Sequence, residues 1–135
     1  MATDPQASTI FDRMDWRQGN FLRSYSLKQY YLGFGGNSNT TTRFRLYDGN
    51  DNAEKNAELR PTIIKEYTDQ DHLLKANHWY TIRIVVKQDS TAIYFDGEKI
   101  ADYQGKDALT SGWFGIRTTQ AHLRFTSFQI QEHNF

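Results

Sequence analysis

The chain has 135 residues, enough for one domain around a single core, and its 16 Lys plus Arg balance 16 Asp plus Glu to a formal net charge of zero. That balance argues against nucleic acid or an anionic membrane as a partner held by a basic field. Cysteine is absent, which excludes disulfides, thiolate metal sites and a thiol nucleophile.

Residues 1–9 read as a loose entry segment with a turn at Asp4-Pro5, and Ile10 to Trp16 as a loop or short edge strand. Asn20 to Leu27 alternates Phe21, Arg23, Tyr25 and Leu27 with Leu22, Ser24 and Ser26, the pattern of a strand with one wetter face. Tyr30 to Phe34 is the next strand, broken by Gly35-Gly36-Asn37. Thr40 to Tyr47 follows, with Thr42, Phe44 and Leu46 on one face and Arg43, Arg45 and Tyr47 on the other. The polar run from Asp48 to Arg60 is a long loop with room for one helical turn over 53–59. Thr62 to Tyr67 is a short strand and 68–77 a connector.

Trp79 to Lys87 predicts a strand with Tyr80, Ile82, Ile84 and Val86 on its apolar face. Thr91 to Tyr103 predicts a hairpin turning at Asp96-Gly97. Gly112 to Thr118 and Leu123 to Gln131 read as two closing strands, so the core spans about 16–131 of a single domain. Twenty residues are Phe, Trp or Tyr, which suit pleated surfaces and also make sugar-stacking platforms. Short strands with polar turns between them indicate an all-β antiparallel sandwich of the jelly-roll kind.

The stretch Leu32 to Tyr47, LGFGGNSNTTTRFRLY, is richest in ligand chemistry. Asn37 and Asn39 are neutral hydrogen-bonders suited to hydroxyls. Arg43, Arg45 and Arg60 could neutralise a uronate carboxylate, which acidifies the neighbouring sugar carbon for proton abstraction. The plainer reading pairs these arginines with Glu66, Asp48 or Asp51. Tyr30, Tyr31 and Tyr47 could act as general acid or base, or serve only as core and rim aromatics.

His72, His78 and His122 are scattered and show no HxxxH spacing; His122 follows the Arg117 strand by a short loop and could reach the same groove. An ExDxxE-type run is missing, and Glu66 and Asp69 face opposite ways on a strand, so acid-pair hydrolysis is disfavoured. Asp48, Asn50, Asp51 and Asn52 make an oxygen-rich loop that would suit a structural Ca²⁺, though Asx-turn chemistry explains it equally well. Asn39-Thr40-Thr41 matches a glycosylation sequon. No run reaches transmembrane length, and MATDPQAS has neither a basic n-region nor an apolar h-region, so the default expectation is the cytoplasm.

The segment from Trp79 to Ile130, with its Trp-Tyr strand, Asp-Gly hairpin and Gly-x-x-Gly-x-Arg strand, resembles the concanavalin A-like lectin/glucanase jelly rolls. The blocks GGNSNTTTRFRLYDG, RPTIIKEYTD and SGWFGIRTTQAHLRF are more specifically similar to the bacterial YesU-like group of that superfamily. The resemblance covers about residues 16 to 131 and implies a protein acting on acidic or rhamnose-containing polysaccharide. Members of that group carry further strands ahead of the position matching Ala2 to Pro5, so it also implies open sheet edges, resolved by pairing with another chain (a homodimer being one form) or by strand rearrangement.

The expectation is therefore a carbohydrate-active or carbohydrate-binding protein, with lyase chemistry favoured over hydrolysis and a binding module or an edge-pairing fragment as the alternatives. Arg43, Arg45, Arg60 and Arg117 would hold the substrate with Asn37 and Asn39, and Tyr31 and His122 would move protons. The partner would be a poly- or oligosaccharide, with no resident cofactor, nucleic acid or membrane.

Overall fold

Tyr30, Tyr31 and Phe34 in Lys28–Gly35 (β2), and β-branched and aromatic residues through Thr41–Asp48 (β3) and Thr62–Tyr67 (β4), suit pleated strands, which pair antiparallel in that order, with Ala2–Thr3 (β1) on the outer edge of β2. Ile82–Lys87 (β5), Ser90–Phe95 (β6) and Glu98–Gln104 (β7) form a second antiparallel sheet. The computed structural model describes residues 1–133, and the chain is an all-β two-sheet sandwich.

Phe44 at the centre of β3 is 1% exposed and meets Ile93, Phe95, Ile100 and Ala101 of the facing sheet. Burying a phenylalanine this fully contributes about 2–3 kcal/mol. Two register shifts feed this core. The β3–β4 pairing shifts between Phe44↔Lys65 and Arg45↔Ile63, and the β6–β7 pairing between Ile93↔Ala101 and Tyr94↔Lys99. Each bulge leaves one isoleucine without a register partner, Ile64 or Ile100, and both pack into the core. Strand alternation then sends Arg43, Arg45 and Tyr47 to the opposite, outward face of the four-stranded sheet.

The β6–β7 hairpin turns at Asp96 and Gly97, with φ of 50° and 86°, as the Asp-Gly signal predicts. Four expectations are corrected. Asn20 to Leu27 is not a strand, because the Asn20 side chain accepts from the Leu22 and Arg23 amides (2.9 and 3.4 Å) and winds Leu22–Ser26 into a 3-10 turn. Residues 1–9 are not loose. Ala2–Thr3 pairs with β2, and the buried Asp4 carboxylate accepts from Arg17 and lies 3.6 Å from Arg13.

The strand predicted from Trp79 begins only at Ile82, and Trp79 is exposed. Ile82 and Ile84 stay exposed although their register partners Phe95 and Ile93 are buried. The two closing strands are absent among the described residues: Gly112 to Gln131 is exposed throughout and pairs only through Trp113, which exchanges backbone hydrogen bonds of 2.8 and 3.0 Å with Ala2. Alternation alone does not order a strand; it needs a paired edge and a face to bury.

Candidate functional site

Two segments roof one end of the outward face. The 3-10 turn that Asn20 starts lowers Phe21 and Tyr25 onto the sheet. The turn at Asp51–Glu54, capped by the Asn50 side chain on the Asn52 amide, adds the buried Ala53. Beneath them Tyr47 is 0% exposed.

Around Arg45 these elements assemble an aromatic box. Arg45 and Tyr31 are register partners on β3 and β2. The Arg45 guanidinium carbon lies 4.9 Å from the Tyr31 ring, 5.5 Å from Tyr47 and 5.6 Å from Phe21. Tyr31 stacks on Tyr47 at 5.4 Å and 16°, and Tyr25 meets Tyr47 edge-on at 5.2 Å. From the exposed C-terminal segment, Arg117 reaches the Phe21 ring at 5.0 Å. Across β2–β3, Gly33 pairs with Arg43, and a Cβ there would meet Tyr31 Cε1 at 3.3 Å, so its missing side chain keeps the strip beside Tyr31 open.

Arg45 has no carboxylate partner among the described residues, and its Nε and the Tyr47 hydroxyl are both buried without a hydrogen-bond partner there. Burial pushes the Tyr47 phenol well above its ordinary range; Arg45 and Arg117 offset this in part, while Tyr31 and Tyr25 add to it. Tyr47 is therefore a neutral donor and not a base. The box can accept an anion at Arg45 and Arg117 and a flat apolar surface at Tyr31 and Phe21.

Of the residues singled out from sequence, Tyr31, Arg45 and Arg117 come together here. Arg43 shares the face but its Nε donates to Glu66 directly across the β3–β4 pair, the plainer of the two readings given above. Arg60 is exposed on the loop before β4 and makes no side-chain contact to Arg43 or Arg45 among the described residues. Asn39 is not free to bind hydroxyls, because its amide donates to the Leu74 carbonyl (3.0 Å) and accepts from the Leu74 amide (2.8 Å). Asn37 donates to the Thr40 hydroxyl at 3.2 Å.

His122 lies in the exposed segment with no bond or ring contact to Tyr31 among the described residues. Tyr30 faces the core, where its hydroxyl accepts from the Leu109 amide at 2.9 Å and burial raises its pKa. In the oxygen-rich loop Asp51 takes Arg13 at 2.7 Å and Asn50 caps its turn, the Asx chemistry that the loop's composition allows. Sequence reasoning missed Phe21 and Tyr25 as parts of the box, and Asn20 was the signal that could have found them.

No curated protein and no solved structure matches the chain. A family profile described as a domain of unknown function (DUF6250) matches residues 1–128, and the chain belongs to that family.

Proposed function

We propose that the outward face of the four-stranded sheet recognises an acidic or rhamnose-containing polysaccharide. The observation that carries this is the Arg45 cation, held among three aromatic rings with no carboxylate partner among the described residues. A uronate carboxylate would take hydrogen bonds from Arg45 and Arg117, which present planar donor forks. The C–H face of a sugar ring would lie against Tyr31 or Phe21. The likeness to the YesU-like group of concanavalin A-like proteins supports the same ligand class.

Lyase-type elimination is a second reading, favoured by the Tyr31 hydroxyl, which has no hydrogen bond among the described residues and is borne on a ring 4.9 Å from the Arg45 guanidinium carbon. Arg45 would neutralise the carboxylate and Tyr31 would move the proton. Tyr47, stacked on Tyr31, stays neutral, and His122 makes no bond or ring contact to Tyr31 among the described residues, so neither shares that work. Binding without turnover is thus the reading the geometry supports best. The uncovered Ile82 and Ile84 on β5 also favour pairing of that edge with a second copy.

Affinity electrophoresis in gels carrying pectic or algal uronate polymers tests the proposal. Retardation in uronate gels, absent in neutral-glucan gels, is the expected result. Equal mobility in all of them refutes it. Ultraviolet absorbance growing in the same polymers, from the double bond a lyase leaves, would promote the second reading over the first.

A further inference from the structure

On the other side of the sandwich, a cleft of about 340 Å³ opens between the sheets, with Phe34, Tyr80 and Phe95 on its apolar wall and His72 and His78 at its rim. His72 ends the turn that follows β4, its ring stacked on Tyr67 at 3.9 Å, and its backbone carbonyl accepts from the Thr42 hydroxyl of β3 at 2.5 Å. Both ring nitrogens face carboxylates. Nδ1 is 2.6 Å from Asp69 Oδ2, and Nε2 is 3.0 Å from Glu98 Oε1 at the start of β7 in the opposite sheet. The His72–Glu98 pair thus ties the connector after β4, itself bonded to β3 through Thr42, to the second sheet.

We propose that His72 is a proton-operated clasp between the sheets: charged, it bridges Asp69 and Glu98 and closes the cleft's edge; neutral, it lets Glu98 go. The argument is one of donor count. An ionised carboxylate only accepts, so a neutral imidazole with one N–H satisfies one partner and turns a lone pair on the other, whereas imidazolium donates to both.

The charged surroundings favour the imidazolium. Asp69, Asp71, Lys75 and His78 lie on its own connector, Glu98 and Asp102 on β7, Asp96 in the β6–β7 turn and Lys65 on β4, while β3 presents only the neutral Thr42. His78 is itself held 3.1 Å from Asp96 Oδ2. Burial pulls the His72 pKa down, but hydrogen bonds to Glu98 and Asp69 outweigh it and raise the pKa above the ordinary 6.5. A raised folded pKa stabilises fully below the unfolded value, and that contribution is lost as pH rises through the folded value. The clasp is closed below about pH 6.5 and opens as pH rises through the raised folded value.

The test is an NMR titration of the His72 ring in the full chain, beside melting curves across the same pH range, for the wild type, Glu98→Gln and His72→Gln. Glu98 is well exposed, so its substitution leaves the fold intact. The expected result is a wild-type His72 pKa above 6.5 that drops in Glu98→Gln. The fall in Tm with rising pH should also be shallower in both variants. A wild-type pKa at or below 6.5, or one that Glu98→Gln leaves unchanged, overturns the clasp.

Discussion

Tyr31 and Arg45 stand opposite each other across β2 and β3, with the guanidinium carbon 4.9 Å from the phenol ring. The ring can act as a stacking surface or, through its hydroxyl, as a proton carrier, and Tyr31→Phe separates these roles. The substitution keeps the ring over Arg45 and removes only the oxygen. Retardation in uronate gels is expected to persist in Tyr31→Phe, whereas any double-bond formation should disappear. Loss of retardation would mean that the hydroxyl, and not the ring, holds the sugar.

Tyr47 carries a buried hydroxyl with no partner among the described residues. Leaving such a group unsatisfied costs about 1–3 kcal/mol. Tyr47→Phe keeps the stack on Tyr31 and removes that cost, so urea denaturation should show a gain of about 1 kcal/mol. A loss of similar size would show that the hydroxyl is bonded in solution.

Asn39 has a φ of 60° and ties the turn after β2 to Leu74 through two hydrogen bonds. Asn39→Ala loses both bonds and puts a side chain with no local polar group in a left-handed backbone, a cost of about 2–3 kcal/mol. Asn39→Gly relieves the backbone part and should lose less. Chemical denaturation of the two variants checks the order, and polysaccharide retardation should change in neither.

Asp96 is held below the ordinary carboxylate value of 3.8 by the Thr81 amide and by His78. The sign is that of a depressed carboxylate: its contribution is present above 3.8 and is lost as pH falls through the folded value. Asp96→Asn keeps a turn-forming residue before Gly97 and should flatten the acid side of the Tm–pH curve. An unchanged acid limb would show that other carboxylates set it.

Local chemistry made part of this legible in the sequence. The strands at 28–35, 41–48 and 62–67 and the Asp96-Gly97 hairpin rest on alternation and turn residues that act within a few positions. The Asn20 turn overrode an equally good alternation because a side chain satisfies the backbone locally, in place of strand pairing. The buried Asp4 depends on Arg13 and Arg17, which no local pattern connects to it.

The difference between the two strand arginines is the most instructive case. Arg43 and Arg45 look alike in sequence and share a face, but the β4 bulge places Glu66 across from one and Ile63 across from the other. One is neutralised and the other is left as a cation among rings. Register, and not composition, decides which arginine is available, and a bulge cannot be read from residue order alone.

Calorimetric titration of a uronate polymer into the wild type, Arg45→Ala and Arg43→Ala tests the central claim most directly. The account predicts that Arg45→Ala weakens binding at least about tenfold, or ~1.4 kcal/mol, while Arg43→Ala stays within about twofold of the wild type. Binding that survives Arg45→Ala, or that is lost in Arg43→Ala instead, would contradict it.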